Sequence, residues 1–203
     1  MDAITIKIFI YIIIVLSAVF HEYAHAWTAY RLGDSTAKQA GRLTLNPIAH
    51  LDLFGTVLIP MIFLFTADIF IGWAKPVPYN PYALSDRKYG SLKVAIAGPI
   101  SNIIIAVTMG MLIRAFTHFE VVSAGDPLIS VLGLIVYINI FLALFNLIPV
   151  PPLDGSKVFA DLFPRQWSYV MQMGIFGVLI AIFIAFYFLA PVAQFIFHII
   201  TGA

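Results

Sequence analysis

Helix-length runs of apolar residues recur along this chain and decide what it can become. A helix needs about 20 consecutive apolar residues to cross the hydrocarbon of a bilayer. Residues 4–32 exceed that length, and the part reading KIFIYIIIVLSAVF is almost wholly aliphatic or aromatic. Comparable runs occupy 53–73, 92–116, 128–147 and 167–189. A last run, 190–201, is too short to cross alone unless it continues the preceding helix past Pro191. Of the 203 residues, 62% are apolar and 10% charged, against about 45–50% and 25% in soluble domains. A soluble globule of this size could not bury so much apolar surface. The expected fold is an all-α polytopic membrane protein of about five to six membrane segments, with residues 1–203 forming one domain. A cleavable signal peptide fits the first run poorly, because the run is too long and no small-residue cleavage site follows.

Composition also narrows function. A formal net charge of +1 offers no electrostatic basis for nucleic-acid binding. The chain has no cysteine, which removes disulfides, thiolate metal ligands and thiol nucleophiles.

The Lys and Arg residues set the expected topology, since short basic loops stay cytoplasmic. Arg31, Lys38 and Arg42 lie before the 53–73 stretch, and Lys75, Arg87, Lys88 and Lys93 lie after it. Segment 117–127 has no Lys or Arg, whereas 150–166 has Lys157 and Arg165. A full crossing by 53–73 would put the two most basic segments on opposite faces. Gly55 and Pro60 interrupt that stretch and Asp68 lies within it, so a re-entrant or broken element is expected, its freed backbone groups covered by protein. Every basic segment is then cytoplasmic. Residues 36–47, of mixed polarity, read as a small surface β-hairpin. Within it Gly41–Leu45 could offer a strand edge to an extended substrate or simply lie on the membrane.

Chemistry concentrates at His21-Glu22-Tyr23-Ala24-His25, inside the first apolar run. Residues four apart share a helix face, so the two imidazoles can close on one zinc ion. Glu22 lies about 100° round the helix, placed to take a proton from water beside the metal. The alternative is a polar patch packing against another helix, disfavoured by the cost of ionisable side chains in a membrane helix.

A catalytic zinc needs a third protein ligand and an open position. Among the acidic residues Asp154 stands out, in Asn146-Leu147-Ile148-Pro149-Val150-Pro151-Pro152-Leu153-Asp154-Gly155. Prolines break the helix there and Gly155 permits unusual backbone angles, so the chain could turn Asp154 inward. It could equally be the N-cap of a helix starting at Gly155. Residues alone leave these two readings open.

Taken together, His21-Glu22-x-x-His25 and Asn146-x-x-Pro149-x-Pro151-x-Leu153-Asp154-Gly155 resemble the site-2 protease family of intramembrane zinc metalloproteases. Ala97-Gly98-Pro99-x-x-Asn102, Gly41-Arg42-Leu43-Thr44-Leu45-Asn46-Pro47 and Gly72-Trp73-Ala74-Lys75-Pro76-Val77-Pro78 extend the resemblance over about residues 20–155. It implies a zinc metalloendopeptidase with one catalytic ion on His21, His25 and Asp154, and Glu22 as catalytic base. It implies peptide-bond hydrolysis within or near transmembrane segments of membrane proteins. It also implies a three-helix core, here 4–32, 92–116 and 128–149, in a cell membrane with the site towards the cytoplasm. The chain leaves no room for the PDZ or CBS domains of many members and resembles a minimal one.

Asn102, Asn139 and Asn146 interrupt apolar helices. Asn139 reads as an interhelical hydrogen-bonding residue, while Asn102 and Asn146, lying in the motifs, could contact substrate or support the site instead. His50 reads as a supporting or surface residue, and His118 and His198 as incidental. The competing functions are a metal transporter, since intramembrane His and Asp also mark ion paths, and a zinc-stabilised chaperone or receptor, whose structural zinc would be closed by four ligands.

Overall fold

The computed structural model describes residues 3–66, 72, 75–123, 125–172 and 174–202. The described residues are helical or irregular, with no strand among them. Among the described residues three helices are long and apolar enough to cross a membrane: α1 (Ala3–Arg31), α5 (Gly90–His118) and α6 (Pro127–Asn146). These are the expected core helices, except that the last ends at Asn146 rather than at 149. Many of their large apolar side chains are exposed, among them Ile12, Leu16 and Phe20 on α1 and Ile104 and Met111 on α5. Such surface is stable only against lipid or another apolar partner. The chain forms two compact units, residues 1–90 and 91–203.

The first unit is built on α1. No glycine or proline interrupts its 29 residues, about 43 Å at 1.5 Å each. Its end is set by Gly33, whose φ of +102° is easy only without a β-carbon. Asp34 then donates its N–H back to the Ala29 carbonyl (3.0 Å). The β-hairpin expected over 36–47 does not form: Thr36–Gln39 is a short helix, α2, followed by a turn. Asp34 is the physical reason. Its carboxylate accepts the Thr36 N–H (3.0 Å) and hydroxyl (2.5 Å), and this local bonding competes with an extended chain.

After a second short helix, α3 (Pro47–His50), a helical stretch runs over Leu53–Thr66, opening in a π-helical segment and continuing as α4 (Ile59–Thr66). Asp52 caps it, accepting the N–H groups of Phe54 (3.1 Å) and Gly55 (2.6 Å) and donating its own N–H to the Thr56 hydroxyl (3.1 Å). Gly55 and Pro60 therefore do not interrupt the helix within 53–66. Pro60 is buried where the π-helical segment passes into α4. The stretch spans about 21 Å, well short of the roughly 30 Å of hydrocarbon. Tyr11 on α1 donates its hydroxyl to the Thr56 carbonyl (3.1 Å). Asp68 lies outside the described residues.

The second unit holds α5, α6 and the C-terminal helices. Ala106 and Ile113 of α5 join Leu132, Val136 and Ile140 of α6 in a buried cluster with Ala193. At Gly110 a β-carbon would lie 2.2 Å from the Ile200 side chain, so glycine lets the two backbones approach. Pro164–Met171 forms α8, and Ile175–Ile184 forms α9. α9 passes through a π-helical segment, Ala185–Leu189, into α10 (Ala190–Thr201) without a break. The last apolar run thus continues its predecessor past Pro191. Arg114 of α5 gives its guanidinium to the Ile199 and Ile200 carbonyls, satisfying and compensating the negative end of α10.

Candidate metal centre

The first unit carries His21, Glu22 and His25, the two candidate ligands and the candidate base, on one turn of α1. His21 and His25 are both buried, and their rings meet edge to face with centroids 4.6 Å apart. Four-residue spacing on a regular helix enforces that proximity. Two neutral imidazoles on one face are a donor pair suited to zinc, and a carboxylate is the usual third partner in such sites.

Glu22, between them, is partly buried and held from outside the helix. Its carboxylate accepts the Val77 backbone N–H at 2.8 Å. Val77 sits between Pro76 and Pro78, and a residue before proline is held extended. Neither neighbour has an amide hydrogen, so Val77 carries the one backbone donor of this tripeptide.

Several further bonds pin the same segment. The buried Arg42 guanidinium donates to the carbonyls of Lys75 (2.7 Å) and Pro76 (3.3 Å). Lys75 donates its N–H to the His50 carbonyl (3.1 Å), and the His50 ring meets the Thr44 carbonyl through Nε2 at 2.8 Å. Asn80 donates its N–H to Asp34 at 2.6 Å. Burial tends to raise the Asp34 pKa, but hydrogen bonds from the Thr36 hydroxyl and the Asn80 and Thr36 amides outweigh it and hold the carboxyl below its ordinary 3.8. The sequence pointed to no partner for Glu22, and Arg42 entered only as a basic loop residue and a motif member. The available signal was the pair of prolines around Val77, which leaves a lone donor in an extended segment.

In the second unit Asp154 is the first residue of α7 (Asp154–Leu162), and the N-cap position falls to Leu153, with no side-chain capping bond. The capping role considered for Asp154 is not the one it plays. It is buried, and Oδ1 receives Lys157 Nζ at 3.2 Å. Residues 147–153 form turns, with the Pro151–Pro152 bond cis. A β-carbon on Gly155 would lie 2.2 Å from the Leu147 carbonyl oxygen, so glycine is needed where α7 presses on the end of α6. That contact fixes the start of α7, and with it the position of Asp154 in this unit. Asp161, further along α7, accepts the Leu92 N–H at 2.8 Å and caps α5.

The remaining candidates are also accounted for. Asn102 and Asn139 are fully buried, and the Asn102 amide donates to the Asn139 side-chain oxygen at 2.8 Å, joining α5 to α6. Asn146 donates to the Leu142 carbonyl within its own helix at 3.0 Å. His118 stacks edge on Phe119, and His198 on Phe197.

A helical membrane protein with an HExxH face on an apolar helix is a membrane-embedded metallohydrolase in class. Comparison with known proteins gives the family. The model of peptidase family M50 matches residues 119–190. The chain is 41% identical over 160 residues to YwhC of Bacillus subtilis (strain 168), provisionally named a zinc metalloprotease; this covers 77% of the chain and 69% of YwhC. It is 29% identical to the similarly named Rip2 of Mycobacterium tuberculosis (strain H37Rv), over 69% of the chain and 51% of Rip2. Zinc metalloprotease MJ0392 of Methanocaldococcus jannaschii is 31% identical over 96 residues, 46% of the chain and 26% of that protein. No solved structure matches. The chain belongs to peptidase family M50, the site-2 protease family, and is a zinc metalloprotease.

Proposed function

We propose that residues 1–203 work as one protease domain that hydrolyses peptide bonds within or near transmembrane segments of membrane-protein substrates. His21, His25 and Asp154 hold one zinc ion and Glu22 is the catalytic base. The observation that carries this reading is Glu22 itself. An ionisable residue deep in an apolar helix is costly, yet this one lies between two buried imidazoles and is held at 2.8 Å by a fixed backbone donor. Zinc, when bound, polarises the scissile carbonyl and acidifies water. Glu22 takes a proton from the attacking water and delivers it to the departing amine nitrogen, closing the balance of amide hydrolysis.

The membrane setting adds two requirements. A scissile peptide in a helix must be unwound before attack, and water must reach the site. Both favour a position near one membrane face. The Lys and Arg bias supports a cytoplasmic face of a cell-membrane protein. The closeness of His50 to Lys75 supports re-entrance of the intervening stretch. Asn146, whose bond is only to its own helix, is available to support the site, whereas Asn102 joins the helices.

The deciding experiment is Glu22→Gln in purified protein with a single-span peptide substrate in liposomes. Zinc content should stay near one ion per chain while cleavage falls by about 10²–10⁴-fold or more. Full cleavage by that variant would overturn the mechanism, and zinc influx into the liposomes in its place would identify a transporter.

A further inference from the structure

We infer that Arg42 is a positioning residue for hydrolysis: it clamps the Lys75–Val77 backbone so that the Val77 N–H holds the Glu22 carboxylate. The inference rests on Glu22 being the base and extends that reading to a residue far from it in sequence.

Arg42 follows Gly41, whose φ is +69°, and its own N–H returns to the Ala37 carbonyl at 2.8 Å. Its backbone is thus fixed in the turn after α2. From there the buried guanidinium bonds two successive carbonyls, those of Lys75 and Pro76. Both bonds leave one nitrogen, Nη2, whose two N–H groups are fixed in the rigid guanidinium plane, whereas the donors of an ammonium rotate freely. The Pro76 carbonyl immediately precedes Val77 and the Lys75 carbonyl lies one peptide earlier, and the peptide from the Pro76 carbonyl to the Val77 nitrogen is one rigid plane. Fixing the Pro76 oxygen therefore fixes the direction of the Val77 N–H, which points to Glu22. On the other side of the segment the His50 carbonyl holds the Lys75 N–H. A buried arginine spent on backbone carbonyls is expensive to desolvate. A clamp on the base supplies a reason for it beyond loop packing, which proline already stiffens.

The test is a double-mutant cycle using cleavage of a fluorogenic single-span peptide in liposomes, with zinc content and thermal midpoint measured on every variant. Val77→Pro removes the one N–H while keeping an extended residue before Pro78, and Val77→Ala keeps the N–H. Arg42→Ala and Arg42→Lys should each lower kcat by about 10-fold or more, the range for removing supports behind a site. KM and zinc content should change less than about 2-fold. Val77→Pro should lose kcat similarly, and by clearly more than Val77→Ala, which keeps the N–H. Arg42→Ala should then cost nothing further in the Val77→Pro background, because both act through one bond. Arg42→Lys, which keeps the charge, covers the case in which Arg42→Ala does not fold. Multiplying losses in the cycle, a loss confined to KM or zinc, or unchanged kcat in Arg42→Lys would overturn the clamp. Glu22→Gln is run alongside. If it cleaves, the reading of Glu22 fails and the clamp with it; if it is inactive and the cycle multiplies, the clamp alone fails.

Discussion

The His50 carbonyl oxygen accepts the Lys75 N–H at 3.1 Å, so the chain that departs after α3 comes back to its point of departure. A complete crossing would separate those ends by about 30 Å of hydrocarbon. The stretch between them begins as a helix that Asp52 caps and Tyr11 steadies from α1, and its return delivers Val77 to Glu22. A single device thereby sets the course of the chain and the surroundings of Glu22.

Single-cysteine labelling tests this course, with a clean background because the chain has no cysteine. Gln39 precedes the excursion and Tyr82 follows it, and both are exposed. Gln39→Cys and Tyr82→Cys should react with an impermeant maleimide from the same side of sealed vesicles, with rates within about 10-fold. Labelling from opposite sides would exclude re-entrance.

Zinc ligation is tested residue by residue. His21→Ala, His25→Ala and Asp154→Ala should each weaken zinc binding by more than about 100-fold, beyond the 10–100-fold typical of groups that merely support ligands. Competition with a chelating dye gives the affinity directly. Wild-type zinc affinity in Asp154→Ala would require another third ligand.

Much of this was legible beforehand because the bilayer simplifies the code. Long apolar runs must become helices in lipid, so α1, α5 and α6 could be placed within a few residues. His21 and His25 share a helix face by periodicity alone. What could not be read was fixed by bonds between distant, irregular segments. Residues 36–47 have composition suited to a hairpin, but Asp34, just outside, bonds Thr36 and diverts them into α2. Gly55 and Pro60 suggested a broken segment, yet Asp52 caps it and the helix passes through a π-helical segment and on to Thr66 without a break. For Asp154, the capping role turned on a one-residue difference in where α7 starts, finer than any pattern resolves.

Gly155→Ala should show how firmly the α6–α7 junction is built. The added methyl would lie 2.2 Å from the Leu147 carbonyl oxygen and 2.6 Å from that of Ile148. Both are backbone atoms that cannot swing aside, so α7 must shift at a cost of about 1–3 kcal/mol, as for overpacking elsewhere. A lower thermal midpoint is expected, with weaker zinc binding because Asp154 moves with the helix start. An unchanged midpoint would show that the junction yields freely.

Asp34 should give the first unit a distinct acid sensitivity. Its folded pKa lies below the ordinary 3.8, because hydrogen bonds from Thr36 and Asn80 outweigh the opposing effect of burial. A depressed carboxyl pKa means that the unfolded chain binds the proton more readily. The carboxylate therefore stabilises the fold fully above about pH 3.8 and progressively less as pH falls through the lower folded value. Asp34→Asn removes the charge and returns two donors where acceptors are needed, so it should lower the midpoint at pH 7 by an amount corresponding to about 1–3 kcal/mol. Thermal scans from pH 7 to pH 3 in detergent should show the gap between wild type and Asp34→Asn closing below about pH 4. A gap that stayed constant across that range would mean that the Asp34 charge does not hold the Asn80 end of the loop reaching Glu22.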